Sequence, residues 1–278
     1  MAVTAKRWLL QLIDDISYFD NTDDSLSFRM TDLQDVNWAN EQETYYATGL
    51  NGARIGSADR NKYSRITVNN GAVVDGVIAA QTGSEWETGT VVLENYLDDL
   101  VTSDGTSVTL TYKAIGDTGA EVKYVYACGT DGVASQKFQQ AVAASATEFS
   151  YAADTGIITL PTGMFKAGDK VVVEYDISIQ NAKKLTNMTN KFSSRGKMVA
   201  RAWVQDPCSS KSYPARIVFD NAKVSGNFEL ATGEDFAAQN VEFESMQSCS
   251  SSKLWDFIVF DEADVEVVTP AADPGVGG

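Results

Sequence analysis

Period-two alternation of apolar and polar residues is clearest in the last third of this 278-residue chain. From Lys223 to Leu230, Val224, Gly226, Phe228 and Leu230 share one side while Lys223, Ser225, Asn227 and Glu229 share the other, which predicts a strand with one buried face. Asn240 to Glu244 alternates in the same way, setting Val241 and Phe243 against Glu242 and Glu244. Lys253 to Phe260 is almost continuously apolar, with Leu254, Trp255, Phe257, Ile258, Val259 and Phe260, and reads as a strand covered on both faces. Between residues 104 and 175, short β-branched and aromatic runs alternate with turn residues. The runs are Ser107 to Lys113, Val122 to Ala127, Gly156 to Leu160 and Lys170 to Tyr175, and the breaks are Asp104-Gly105, Asp131-Gly132 and Ala167-Gly168-Asp169. Gly and Asp tolerate the positive φ of tight turns, so this stretch predicts β-hairpins.

The first hundred residues carry a weaker pattern. Lys6 to Ser17 places Leu9, Leu12, Ile13 and Ile16 at helical spacing, with an extended strand as the competing reading. Asn40 to Ser64 shows little periodicity, contains Gly49, Gly52 and Gly56, and is expected to be a long loop of the functional kind. Ser145 to Thr147 and Leu185 to Lys191 are candidates for short helices, and Thr269 to Gly278, rich in Ala, Pro and Gly, is expected to be disordered. Together these patterns predict an all-β fold with a minor helical part, long enough to bury a sizeable core.

Composition narrows the chemistry. The chain has no histidine, which excludes Ser-His-Asp and Cys-His nucleophilic machinery and His-containing metal sites. Cys128, Cys208 and Cys249 are too few for an all-cysteine tetrahedral site. They are expected to be thiols in a chain made in a cytoplasm, with a Cys208 to Cys249 bridge as the alternative. Lys6 and Arg7 precede an apolar run that meets Asp14-Asp15 without a small-residue cleavage site, so no export signal and no membrane span is expected.

The formal net charge of −16 argues against tight nucleic-acid binding, which depends on Lys and Arg neutralising phosphates. The charges are also blocked. Residues 183 to 223 hold nine basic side chains, Lys191, Arg195 and Lys197 among them, against Asp206 and Asp220, whereas residues 224 to 278 hold Lys253 against eleven acids. Such polarity suits self-association, and equally suits one block folding onto the other within a subunit.

Other motifs read as structure. Asp117-Thr118-Gly119 and Asp154-Thr155-Gly156 each carry the aspartic-protease tripeptide, but they lie 37 residues apart where hairpin turns are expected, so turns are the better account. Gly49 to Gly56 lacks dinucleotide or phosphate-loop spacing, and Asp14, Asp15, Asp20, Asp23 and Asp24 lack calcium-loop spacing and read as a solvated acidic face. Trp86, Trp203 and Trp255 are candidates for a sugar platform, with core packing the preferred reading for the last two.

Tyr213 to Phe219, Ala222 to Leu230, Gly233-Glu234-Asp235-Phe236, Val241 to Glu244 and Leu254-Trp255 follow one another in an order that resembles the tail tube proteins (major tail proteins) of tailed bacteriophages. Ile66-Thr67-Val68 to Gln81-Thr82-Gly83 is similar to the N-terminal half of that family, and Phe149 to Tyr175 resembles virion β-domains. The resemblance implies a β-sandwich or barrel with a flanking helix, assembling as hexameric rings that stack into a tube through which DNA passes. It also implies a virion component that is not an enzyme and has no cofactor, whose partners are itself and other tail proteins such as a sheath.

Mapped on this chain, the resemblance implies a tube domain split into residues 1–100 and 183–268, a β-domain inserted at 101–182, and a tail at 269–278. Arg54, Arg60, Lys62 and Arg65, in and beside the 40–64 segment, are candidates for contacts between rings. Lys191, Arg195 and Lys197 are candidates for a basic patch between subunits. Glu229, Glu242 and Glu244 are candidates for the lumen wall, with outer-surface charge as the rival reading. A receptor-binding or carbohydrate-binding β-sandwich is the alternative function, and a carboxylate-based hydrolase the third.

Overall fold

The structure, a computed structural model, describes residues 7–128, 133–227, 229–230, 238–249 and 251–265. Two compact units divide the chain. Met1–Glu85 and Leu185–Gly278 form the first, and Trp86–Lys184 forms the second.

The first unit begins with β1 (Leu9–Asp20), β2 (Leu26–Met30), β3 (Leu33–Thr48), β4 (Arg54–Asn70) and helix α1 (Asp75–Thr82). The chain then forms the second unit with β5 (Trp86–Val101), β6 (Ser107–Thr109), β7 (Val122–Cys128), β8 (Ala134–Gln140), β9 (Glu148–Ala152), β10 (Ile157–Thr159) and β11 (Lys170–Leu185). It completes the first with β12 (Arg195–Gln205), β13 (Ser212–Val224), β14 (Gln239–Ser245) and β15 (Asp256–Val259). The first unit's sheet runs β2-β1-β12-β13-β14-β4-β3, with β15 also paired to β13, and the second unit's runs β5-β11-β7-β8-β9-β10-β6.

Alternation explains why the first sheet has one apolar face. In β12, Met198, Ala200, Ala202 and Val204 are buried while Lys197, Val199, Arg201 and Trp203 lie on the other side. Ile217 and Phe219 of β13, Val241 and Phe243 of β14, and Ile66 and Val68 of β4 extend the same face, and Val77 and Ala80 of α1 join its core. Tyr18 sits among them, stacked on Phe28 at 5.0 Å and tilted against Phe243 at 5.9 Å. Burial pushes its phenol up to about 12. Gly196 faces this ring: a Cβ there would lie 2.1 Å from the Phe19 carbonyl oxygen and 2.7 Å from the Tyr18 ring, so no larger residue fits.

The second unit has its own core of Val125, Phe138, Phe149, Ile158, Val173 and Tyr175, with neighbours. Asp98, only 5 % exposed, accepts hydrogen bonds from the Tyr175 hydroxyl at 2.9 Å, the Thr111 backbone at 2.7 Å and the Thr111 hydroxyl at 2.9 Å. Three donors compensate the burial of that carboxylate and pin the chain after β6. This is why the expected strand from Ser107 to Lys113 stops at Thr109.

Several other expectations are corrected. Leu9 to Ser17 lies in strand β1, the extended one of the two readings, and Lys6 is outside the described residues: β1 carries irregularities between Leu10 and Leu12 and between Ile13 and Asp15, and each extra residue shifts the alternation until the apolar spacing imitates a helix. Asn40 to Ser64 is mostly paired, β3 against β4 from Asn40↔Ser64 to Thr48↔Arg54. It lacks period two because solvent lies on both sides of it. Leu185 to Lys191 and Ser145 to Thr147 are not helical, whereas α1, with Gly76 in its first turn, carried too weak an apolar stripe to be expected. The strand expected to reach Leu230 ends at Val224; Leu230 makes an isolated bridge to Gln239, and Phe228 lies outside the described residues. Lys253 to Phe260 forms only the four-residue β15, and Ile258 is 48 % exposed, so it is not covered on both faces. The second unit starts at Trp86 and not at residue 101, since β5 pairs with β11. Asp131-Gly132 and Thr269 to Gly278 lie outside the described residues.

Phe243 is fully buried against the stacked pair of Tyr18 and Phe28. Phe243→Ala is expected to destabilise the first unit by about 3–5 kcal/mol, read as a lower midpoint in denaturant unfolding.

Candidate functional site

Among the described residues the first sheet ends in two open edges. β2 pairs with β1 only from Ile16 to Phe19, so the outer edge of Leu9 to Asp15 has no partner strand among the described residues. Leu9, Leu10 and Leu12 on that stretch are each about half exposed (53, 50 and 51 %). At the other end β3 is the last strand. An edge offers unpaired backbone N–H and C=O groups, and natural proteins usually blunt it with charge or proline. Here it carries leucine.

Ion pairs hold the open strand in place. Asp15, 4 % exposed, lies opposite Arg201 of β12 and pairs with it, and with Arg29 of β2 at 2.7 Å. Arg201 Nε also lies 3.2 Å from Asp14, which accepts the Trp203 indole N–H. Asp14 and Asp15 therefore serve as cross-strand ties and not as a solvated acidic face, and Trp203 belongs to the face opposite the core. Trp255 does pack against the core, edge-on to Trp38 at 5.0 Å.

The hairpin of β3 and β4 extends beyond the sheet. From Gln42 to Lys62 its side chains are exposed on both faces, apart from half-buried Gly49. A two-stranded ribbon without a covered face is marginal in water, so its order rests on cross-strand contacts. The Arg60 guanidinium lies 3.4 Å over the Tyr45 ring and that of Arg54 3.9 Å over Tyr46. Thr44 donates to Asp59 at 2.7 Å, and Glu43 accepts from the Tyr45 hydroxyl and the Asn61 amide. The Tyr45 hydroxyl, then Asn61, hold the Glu43 carboxyl below its ordinary range, and Glu43 in turn pushes the Tyr45 phenol up. Exposed cation–π contacts contribute about 0.5–1 kcal/mol each, enough to set register. They leave the tip bare: Leu50 is 96 % exposed and Ile55 72 %.

Arg54 and Arg60 thus lie on the distal ribbon. Lys62 lies near its base, and Arg65 is drawn into the sheet, 2.7 Å from Glu41 and 3.8 Å from Glu242. Glu242 and Glu244 lie on the face of β14 opposite Val241 and Phe243, with Lys223 across from Glu244. Glu229 is exposed but outside any strand, so it does not share their alternation. A polar cleft of about 470 Å³ brings Lys191 and Lys223 together with Glu242 and Glu244. Arg195 and Lys197 stand on β12, and among the described residues no ion pair involves them or Lys191. The two charge blocks do meet within the chain elsewhere, at Lys211 with Asp261 and at Lys253 with Asp220. Hydrogen bonds that the Lys253 ammonium donates to Asp220 and Asp256 push it up to about 12.

Both Asp-Thr-Gly sequences are turns. Gly119 and Gly156 adopt φ of 88° and 70°, and Thr155 and Gly156 donate their backbone N–H groups to Ala152. Among the described residues no cluster of three or more acidic, cysteine or histidine side chains is placed to hold a metal ion, and no helix is long and apolar enough to cross a membrane. Sequence reasoning missed the edge leucines, hidden by the bulges in β1, and the Tyr-Arg ladder. Two tyrosines before and two arginines after a Gly-Leu-Asn-Gly turn were the sequence signal of the ladder.

A model of the YomU/Tube protein family matches residues 8–253. No curated protein matches the chain.

Replacing Arg201 with Met removes one of two cations from a buried carboxylate. Arg201→Met is expected to cost about 1–3 kcal/mol in thermal or denaturant unfolding, and Asp15→Asn in the same chain to recover part of that loss, as a double-mutant cycle would show.

Proposed function

Because the chain belongs to the YomU/Tube protein family, a family of phage tube-like proteins, we propose that it is the wall subunit of a bacteriophage tail tube. In this reading six copies close into a ring, rings stack, and DNA passes down the lumen. The observation that carries it is a single sheet open at both ends among the described residues, with a leucine-bearing edge at β1 and an unpaired edge at β3. An edge that differs from its opposite makes a head-to-tail contact, and such contacts either close into rings or run on as fibres. Ring closure satisfies every edge and removes half-exposed leucine from water at about 25 cal/mol per Å².

The ribbon from Gln42 to Lys62 supports stacking, since it projects apolar and cationic side chains that its own unit leaves uncovered. Lys191, Arg195 and Lys197 supply a basic patch for the acidic block of a neighbour. Exposed pairs contribute only about 0–1 kcal/mol each, so they set orientation and rate while strand burial supplies affinity. Glu242 and Glu244 share the polar sheet face with Thr67 and Asn240, a surface of the kind that would let DNA slide without sticking.

Negative-stain microscopy and sedimentation of the purified protein test this. Rings and tubes are expected, and a strictly monomeric species at high concentration in every salt would sink the reading. Leu9→Lys with Leu12→Lys is expected to give a folded monomer with its thermal midpoint little changed. Arg54→Glu with Arg60→Glu is expected to leave single rings and shorten tubes. The assembly rate is expected to fall as salt rises from about 0.05 to 0.5 M, because the Debye length drops below about 10 Å. Changing Lys191, Arg195 and Lys197 to Glu is expected to slow assembly and remove most of that salt dependence.

A further inference from the structure

Resting on the stacking role assigned to the ribbon, we propose where its tip docks: Leu50 and Ile55 of one copy insert into an apolar groove on the second unit of another copy. The groove, about 630 Å³, is lined by Leu93 and Tyr96 of β5, Tyr112 and Ile115 after β6, and Ile177 and Ile179 of β11. Leu93, Tyr112 and Ile179 are 44, 52 and 38 % exposed, so the lining is open to solvent. Tyr96 is braced edge-on by Tyr112 at 5.4 Å and by Tyr175 at 5.5 Å, which gives the floor a fixed shape before anything binds.

Knob and groove are the complementary halves of a heterologous contact, and every copy in a homo-oligomer carries both. Leu50 and Ile55 lie on either side of the Asn51-Gly52 turn, where φ values of 78° and 74° fold the chain into a narrow point. A narrow apolar point with no cover suits a groove better than a flat face does.

Charge agrees with the pairing. Residues 42 to 64 carry Arg54, Arg60 and Lys62 against Glu43 and Asp59, a local excess of cation in a chain of net charge −16. Beside the groove β5 carries exposed Glu87, Glu94 and Asp99 and no Lys or Arg, which outnumber Lys113, the cation in the groove's own lining. The Tyr46 and Tyr45 rings hold Arg54 and Arg60 near the tip, so the cations arrive with the apolar point rather than swinging free.

The test uses the full-length chain with a benzophenone amino acid at position 50, mixed in equal parts with ¹⁵N-labelled protein. After assembly and irradiation, mass spectrometry locates the adduct. Inter-copy adducts on peptides holding Leu93, Tyr112 to Ile115, or Ile177 to Gln180 are expected. Adducts confined to residues 1–85 or 185–278, in tubes that form normally, would overturn this docking and leave the tube reading standing. Failure to form tubes in the unsubstituted chain would overturn both. As a second arm, Ile179→Arg at a partly exposed site is expected to yield folded rings whose stacking is weakened about tenfold or more. Stacking equal to the parent would also overturn the proposal.

Discussion

Every strand must hand its backbone N–H and C=O groups to a partner or to water, and among the described residues of the first unit that role falls to water at both ends of one sheet. The interior of the sheet is closed: β12 and β13 pair along most of their length and bury Met198, Ala200, Ile217 and Phe219 without gaps in the alternation. Only the rims remain. The strand at one rim is bent by two bulges and tied to β12 through Asp15, so it is a rigid edge and not a fraying one. Rigidity matters because an edge that must first be ordered loses conformational entropy on pairing, whereas a fixed one does not.

The parts of this fold legible in the sequence are those with one wet and one dry face. Val241 and Phe243 alternate with Glu242 and Glu244, and the strand lies where that pattern puts it. Legibility fails where a second influence overrides the period. Bulges in β1 turned a strand into an apparent helix, and the Asp98 hydrogen bonds cut short the strand after Ser107. The ribbon from β3 to β4 is wet on both sides, so nothing in its composition marks it as paired. Its register is held by rings over guanidinium groups, a signal that needs the partner strand to be read.

The charge blocks show a similar division. Part of the basic segment is spent inside the chain, at Arg201 with Asp14 and Asp15 and at Lys211 with Asp261, while Asp220 in that segment draws in Lys253. Block counting treats these as available for a neighbour. A surplus of seven on paper therefore overstates what is left over, and among the described residues Lys191, Arg195 and Lys197 are cations of that segment with no ion pair in the chain.

The interposition of the second unit bears on how the chain reaches this state. β1 pairs with β12 across about two thirds of the sequence, Ile16 meeting Ala200, and such remote pairing is slow to nucleate because a long loop must close first. The second unit is one continuous stretch with its own core, and β5, which brings the chain in, is hydrogen-bonded to β11, which takes it out. Once that unit has formed, the intervening 99 residues behave as a short clasp, and the two halves of the first sheet search for each other as neighbours. On a ribosome the order of synthesis favours the same route, with the clasp complete before β12 emerges. The rim strands β1 and β3 are made first and wait, so a clasp that forms early shortens the time for which they lie without the strands that join them into one sheet.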